Sequence, residues 1–187
     1  MDTSAQESLL VARAQAGDSG AFEDLFLAVH KPLLRYVSGL VGCEHAEDVL
    51  QETFLQIHRK IRWLQEPLAF RAWSYRIATR LSFAHLKRER RWSEQIRDEE
   101  LLHNLPDVEI TTSDFEIEEI GRLMEHVSPK SRAVLLMRYR EELSLDAIAL
   151  ILDIPLGTAK SRLAYGLSSL RLLANNKEQS HDYPGKR

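Results

Sequence analysis

Two sets of side chains in this sequence have types and spacings suited to chemistry, and in both the chemistry is binding of a polyanion. Arg76, Arg80, Lys87 and Arg91 fall four, seven and four residues apart, so a helix would align them along one side. Arg62 and Arg88 add to that charge, and Trp63, Trp73, Tyr75, Phe83 and Trp92 are interleaved with it. Guanidinium and ammonium groups hold phosphates in a salt-sensitive way. Trp73 and Phe83 are expected in the core, whereas Trp63 sits before the helix and offers a stacking platform for an unpaired base. A run of charge alone would more simply be a solvated face, so the aromatics carry the argument. The second set is Thr158, Lys160, Ser161, Arg162, Ala164 and Tyr165. With Leu156, Ala159, Leu163, Leu167 and Leu170 turned inward, these residues occupy or flank the outer face of the last helix. Hydroxyls, a lysine and a tyrosine there suit mixed contact with phosphates and base edges in a major groove.

Bond-making chemistry has little support. No glycine-rich phosphate loop, HExxH or GxSxG occurs. His30, His45, His58, His85, His103, His126 and His181 show no ligand spacing along one helix face. Cys43 and His45 are two residues apart, yet no further ligands converge on them in sequence. As the single cysteine, Cys43 forms no internal disulfide and anchors no multi-cysteine metal site. The expectation is a non-enzyme with no metal, cofactor or small-molecule substrate.

The elements that must position these groups are helical. Eight Gly and six Pro in 187 residues disfavour an all-β fold, and no strand-like alternation stands out. The pattern predicts helices over Glu7–Ala16, Ser19–Val41, Glu44–Ile61, Leu68–Arg91, Phe115–Val127 and Pro129–Arg140, then a short one from Leu145 and a longer one from Leu156. Pro32 should kink or split the second. Phe70, Trp73, Ile77, Leu81 and Ala84 are the expected buried stripe of the fourth. Arg62–Pro67 reads as a loop. Ser144 should cap the Leu145 helix, and Asp153-Ile154-Pro155 should turn the chain into the last one, giving the short-helix, tight-turn, long-helix signature of a helix-turn-helix over Leu143–Leu173. The fold class is therefore all-α: two small helical domains joined by a flexible acidic linker. The boundaries are 1–92, a linker over 93–113, 114–175, and a polar tail over 176–187 expected to be disordered.

The net charge of −3 hides strong segregation. Residues 1–52 carry −6, 53–92 carry +8, 93–120 carry −9 and 121–187 carry +4. A polyanion would choose the second and fourth blocks. The Glu44–Ile61 helix presents Glu47, Asp48, Gln51, Glu52, Gln56 and Arg59 instead, a face that repels phosphate and suits a protein partner with basic side chains. No run of 18 apolar residues exists and the start lacks a basic signal region, so a cytoplasmic compartment is expected.

With these elements in place, residues 8 to 173 resemble an extracytoplasmic-function (group 4) sigma factor of the sigma-70 family. Three stretches carry the resemblance: His45 to Phe54 (HAEDVLQETF), Phe70 to Ala78 (FRAWSYRIA) and Ile154 to Leu163 (IPLGTAKSRL). The resemblance implies a subunit that binds core RNA polymerase and directs promoter-specific initiation. Asp48, Gln51 and Glu52 would dock on the clamp coiled coil of the β′ subunit, with the β subunit a further contact. Arg62, Trp63, Arg76, Arg80, Lys87, Arg88 and Arg91 would open the −10 region and hold its melted strand. Thr158, Lys160, Ser161, Arg162, Ala164 and Tyr165 would meet the −35 duplex. A membrane-associated anti-sigma factor is the further partner implied. The chain departs from the family at Arg80, often Asn there, at Val127-Ser128 in place of Leu-Pro, and at Ala164 and Tyr165, so no promoter sequence transfers. Two alternatives stand beside this reading. One is a stand-alone helix-turn-helix regulator whose residues 1–92 sense or dimerise. The other is an antagonist that mimics these surfaces, which Lys160 and Arg162 disfavour.

Overall fold

The computed structural model describes residues 3–89 and 123–181. The linker over 93–113, Arg91, Trp92, most of the helix expected at Phe115–Val127 and the last six residues lie outside them. All the regular structure described is helical: α1 (Thr3–Gln15), α2 (Ser19–Val41), α3 (Cys43–Lys60), 3-10 turns at Ile61–Trp63 and Pro67–Ala69, α4 (Phe70–Arg88), α5 (Pro129–Tyr139), α6 (Leu145–Leu152) and α7 (Leu156–His181). The chain divides into two compact units, one centred on α1–α4 and the other on α5–α7.

In the first unit, local chemistry sets the helix ends. Asp18 caps α2, its Oδ1 accepting from the Ala21 N–H at 3.1 Å while Arg13 donates to Oδ2 at 2.7 Å and 2.9 Å. Those bonds, led by the Ala21 amide, hold the Asp18 carboxyl below its ordinary pKa. Gly42, at φ 87°, both ends α2 and precedes α3, a left-handed conformation that glycine adopts without strain. The helix runs through Pro32 without splitting. Proline removes one amide donor, but burial of Val29 and Leu33 on either side holds the helix in place. Leu25, Val29, Leu33, Val37 and Leu40 of α2 are buried, as are Ala46, Val49, Leu50, Phe54 and Ile57 of α3, and the two helices pack together. Each of these side chains except Ala46 contributes about 1.5–3 kcal/mol.

The buried face of α4 is not the one expected. Trp73, Ile77 and Leu81 are only half-buried and Ala84 is exposed. The face turned inward is Phe70, Ser74, Ala78, Ser82 and Leu86, at four-residue steps, flanked by Tyr75 and Thr79. Small residues let α4 approach α2 and α3 closely. The hydroxyls of Ser74 and Thr79 are buried without penalty because each donates to the carbonyl four residues back, at 2.8 Å. The helix also starts at Phe70, two residues later than predicted, because Pro67–Ala69 forms a 3-10 turn first.

In the second unit, Ser128 caps α5 with Pro129 at its first position, as its sequence predicts. Arg132 is buried, donating to the carbonyls of Glu125 at 2.7 Å and Val127 at 2.9 Å. Burial pushes its guanidinium down to about 10, still charged at neutral pH. Gly166 of α7 lies against α5, and a Cβ there would stand 2.7 Å from Leu135 Cδ1. Leu156 is exposed rather than part of the buried stripe, because it opens α7 before the helix reaches the core at Ala159. The last helix extends to His181, beyond the expected end near 175, since nothing from Leu167 to His181 is Gly or Pro.

Candidate nucleic-acid interface

The 3-10 turn after α3 presents Trp63 to solvent, with 68% of its surface exposed. Two short-range facts orient it. The Arg62 guanidinium sits 5.7 Å from the centroid of the indole, a cation–π distance. Two carbonyls of the turn also accept from one side chain of α1: Gln15 Nε2 donates to Ile61 O at 2.9 Å and to Leu64 O at 2.7 Å. The same helix holds the start of α4, where Arg71 Nε meets Glu7 Oε2 at 2.7 Å. Beside Trp63 opens a cleft of about 400 Å³ lined by Lys60, Trp63 and Trp73. Two indoles and an ammonium suit a planar, electron-rich ring next to a phosphate. Half-exposure of Trp73, an error in the expected core, is what makes it available to this cleft.

Along α4, Arg80, Lys87 and Arg88 are exposed and Arg76 is half-buried. Arg91 lies outside the described residues. The neighbouring α3 turns Asp48, Gln51 and Glu52 to solvent while its opposite face is buried. The acidic and basic surfaces meet where Arg88 Nη2 stands 3.9 Å from Glu52 Oε2, an exposed pair that contributes little by itself.

In the second unit, Ser144 Oγ accepts from the Ala147 N–H at 3.2 Å and caps α6, as expected. Asp153 takes φ 55°, a left-handed turn residue, and the Ile154 N–H closes back on Ala149 O at 3.0 Å. These bonds complete the helix-turn-helix and leave the start of α7 exposed. Lys160 and Ser161 are exposed there. Thr158, Arg162, Ala164 and Tyr165 are half-buried, so the outward face is narrower than the sequence implied.

Gln15, Glu7 and Lys60 escaped sequence reasoning. Gln15 bonds carbonyls 46 and 49 residues away, and no local pattern encodes that. Lys60 ends a helix read only for its acidic face, although its place two residues after His58 in a basic helix end was visible.

The family model for Sigma-70 region 2 matches residues 25–92, and that for Sigma-70 region 4 matches residues 117–170. The RNA polymerase sigma-H factor of Pseudomonas aeruginosa is 33% identical over 87% of this chain and 91% of its own length. This chain belongs to the sigma-70 family, as an extracytoplasmic-function sigma factor. The extracytoplasmic-function sigma factor SigW of Bacillus subtilis is 28% identical over 86% of this chain and 92% of its own. Among solved structures, CnrH in complex with the cytosolic domain of CnrY matches with a TM-score of 0.67 at 20% identity, covering 91% of this chain and 98% of that one. The sigma factor RpoE in complex with the anti-sigma factor NepR from Bartonella quintana matches at 0.63 and 18% identity, covering 82% and 96%. Both support the fold. This sigma factor therefore directs transcription initiation with core RNA polymerase on promoter DNA. The stand-alone regulator alternative falls, because residues it assigned to a sensor are sigma region 2. No helix among the described residues is long and apolar enough to cross a membrane.

Proposed function

We propose that the two units divide promoter recognition between duplex and melted DNA. Asp48, Gln51 and Glu52 dock on the β′ clamp coiled coil of core polymerase, with the β subunit a further contact. Arg62, Trp63, Arg76, Arg80, Lys87, Arg88 and Arg91 hold the melted −10 strand, one base stacking in the cleft of Lys60, Trp63 and Trp73. Thr158, Lys160, Ser161, Arg162, Ala164 and Tyr165 meet the −35 element as duplex. The domain boundaries 1–92, 93–113, 114–175 and 176–187 go with this division. The factor acts in the cytoplasm, has no catalytic activity of its own, and is restrained by a membrane-associated anti-sigma factor.

The observation that carries this reading is Trp63, an indole held out into solvent by Gln15 between an acidic docking face and a basic helix. An exposed tryptophan gains nothing for the fold, and it suits stacking on an unpaired base. The test is in vitro transcription with purified core polymerase on a pool of genomic promoters. Defined start sites sharing −35 and −10 elements are expected. Absence of specific starts, with no co-elution of the chain with core, would sink the proposal.

A further inference from the structure

Away from the exposed face of Trp63, the start of α3 and the end of α4 bring His45, His85 and Glu89 together. His45 Nε2 stands 3.3 Å from Glu89 Oε1, and His85 Nε2 stands 3.7 Å from the same oxygen. One donor atom from each residue lies within 4.8 Å of the other two. The two imidazole rings are 4.7 Å apart between centroids. All three side chains are partly buried, between 18% and 28% exposed. His85 Nε2 is buried and has no hydrogen-bond partner among the described residues, so a nitrogen faces the cluster unsatisfied.

We propose that His45, His85 and Glu89 form a site for a divalent first-row cation of borderline softness, with zinc as its best fit. Two imidazoles and one carboxylate are a donor set that zinc accepts, and a catalytic or exchangeable site of that kind keeps water in the fourth position. Bonds of about 2.0–2.2 Å in tetrahedral geometry separate neighbouring donors by about 3.3–3.5 Å. The distances of 3.3 Å and 3.7 Å already meet or approach that spacing. Glu44 Oε1, 3.8 Å from His45 Nε2 and largely exposed, is close enough to take the fourth position in place of the water. Cys43 is exposed and is not one of the ligands.

The position gives the site a consequence. His45 is three residues before Asp48, and Glu89 directly follows Arg88. A bound cation would join the start of the acidic docking helix to the end of the basic helix, and stabilise the folded form by mass action. The inference stands on the geometry of α3 and α4 alone and does not depend on which promoter is read.

The experiment uses the full chain without an affinity tag, stripped with a chelator and then titrated. Cobalt(II) serves as the visible probe and zinc(II) as its competitor, with thermal melts run in parallel. One equivalent of cobalt should bind with visible d–d bands, zinc should displace it, and the melting temperature should rise. His45→Ala and Glu89→Gln should each weaken binding by about tenfold or more. Cys43→Ser should bind like the parent. Because His45 and Glu89 are partly exposed, metal-free melts of those variants should match the parent and separate lost ligation from lost fold; if one fails to fold, the other decides. No saturable uptake by the parent, uptake unchanged in both variants, or uptake lost in Cys43→Ser would each overturn the proposal.

Discussion

The hydroxyl of Tyr36 on α2 lies 2.7 Å from Oγ1 of Thr79 on α4, with both residues buried. Thr79 spends its own proton on the Tyr75 carbonyl at 2.8 Å, so Tyr36 is the donor. Tyr75 in turn packs its ring edge-on to Tyr36 at 5.2 Å. This polar contact fixes how α4 seats on α2. Tyr36→Phe keeps the ring and removes the donor, and should cost about 1 kcal/mol. Chemical denaturation should register that loss, with polymerase binding unchanged at temperatures well below the melt. A variant as stable as the parent would remove the bond from the account of how α4 is held.

Gly166 presents a contest between two effects. Alanine would favour the helix by about 1 kcal/mol. Its Cβ would also stand 2.7 Å from Leu135 Cδ1 and 3.0 Å from Leu135 Cγ, and Leu135 is buried with little room to move. Overpacking of that kind costs about 1–3 kcal/mol. Gly166→Ala should therefore lower the melting temperature of the α5–α7 unit, and a rise would mean that Leu135 repacks freely.

Asp48→Arg combined with Gln51→Ala reverses one charge on the α3 docking face and removes its amide. Both side chains are exposed, so the helix content and melting temperature should stay within experimental scatter of the parent. Co-elution with core polymerase should be lost. Co-elution at parental strength would refute the docking assignment.

Trp63→Ala should reduce open-complex formation while duplex binding to a −35 fragment persists. Loss of one stacked base is worth about 1–3 kcal/mol, or roughly 5- to 150-fold. Gln15→Ala should act in the same direction and more weakly, since it removes the bonds that tie Ile61 O and Leu64 O of the turn to α1. Permanganate reactivity of the −10 thymines measures both. Equal reactivity in the Trp63 variant and the parent would take the indole out of strand capture.

Lys160→Ala and Tyr165→Ala test the duplex reader. Promoter output should fall chiefly through the −35 element, so base changes there should matter less in the variants than in the parent. Lys160 is exposed and its loss should leave stability unchanged, whereas loss of half-buried Tyr165 should also lower it modestly. Identical sensitivity to −35 changes in variant and parent would count against α7 as the reader.

Much of this molecule is legible along the chain because its causes are local. α2 spans Ser19–Val41 as predicted, and Asp18 and Gly42 bracket it, since a cap and a left-handed glycine act within one turn of the helix they bound. Ser128-Pro129 and Ser144 start α5 and α6 for the same reason. The polar face of α3 and the cations of α4 follow from periodicity alone. What the residue order could not express was decided by packing across the fold. On α4 small residues and hydroxyls share the inward face with Phe70 and Leu86 in place of Trp73, Ile77 and Leu81, because close helix approach, and for Ser74 and Thr79 bonds to the carbonyl four residues back, outweigh hydrophobicity there. Trp73 is thereby released to the cleft beside Trp63. Gln15 meets the turn of Trp63, and His45 meets His85 and Glu89, across some 40 residues of chain or more. Such meetings depend on where whole helices come to rest, a sum of many buried contacts that no short stretch of sequence contains.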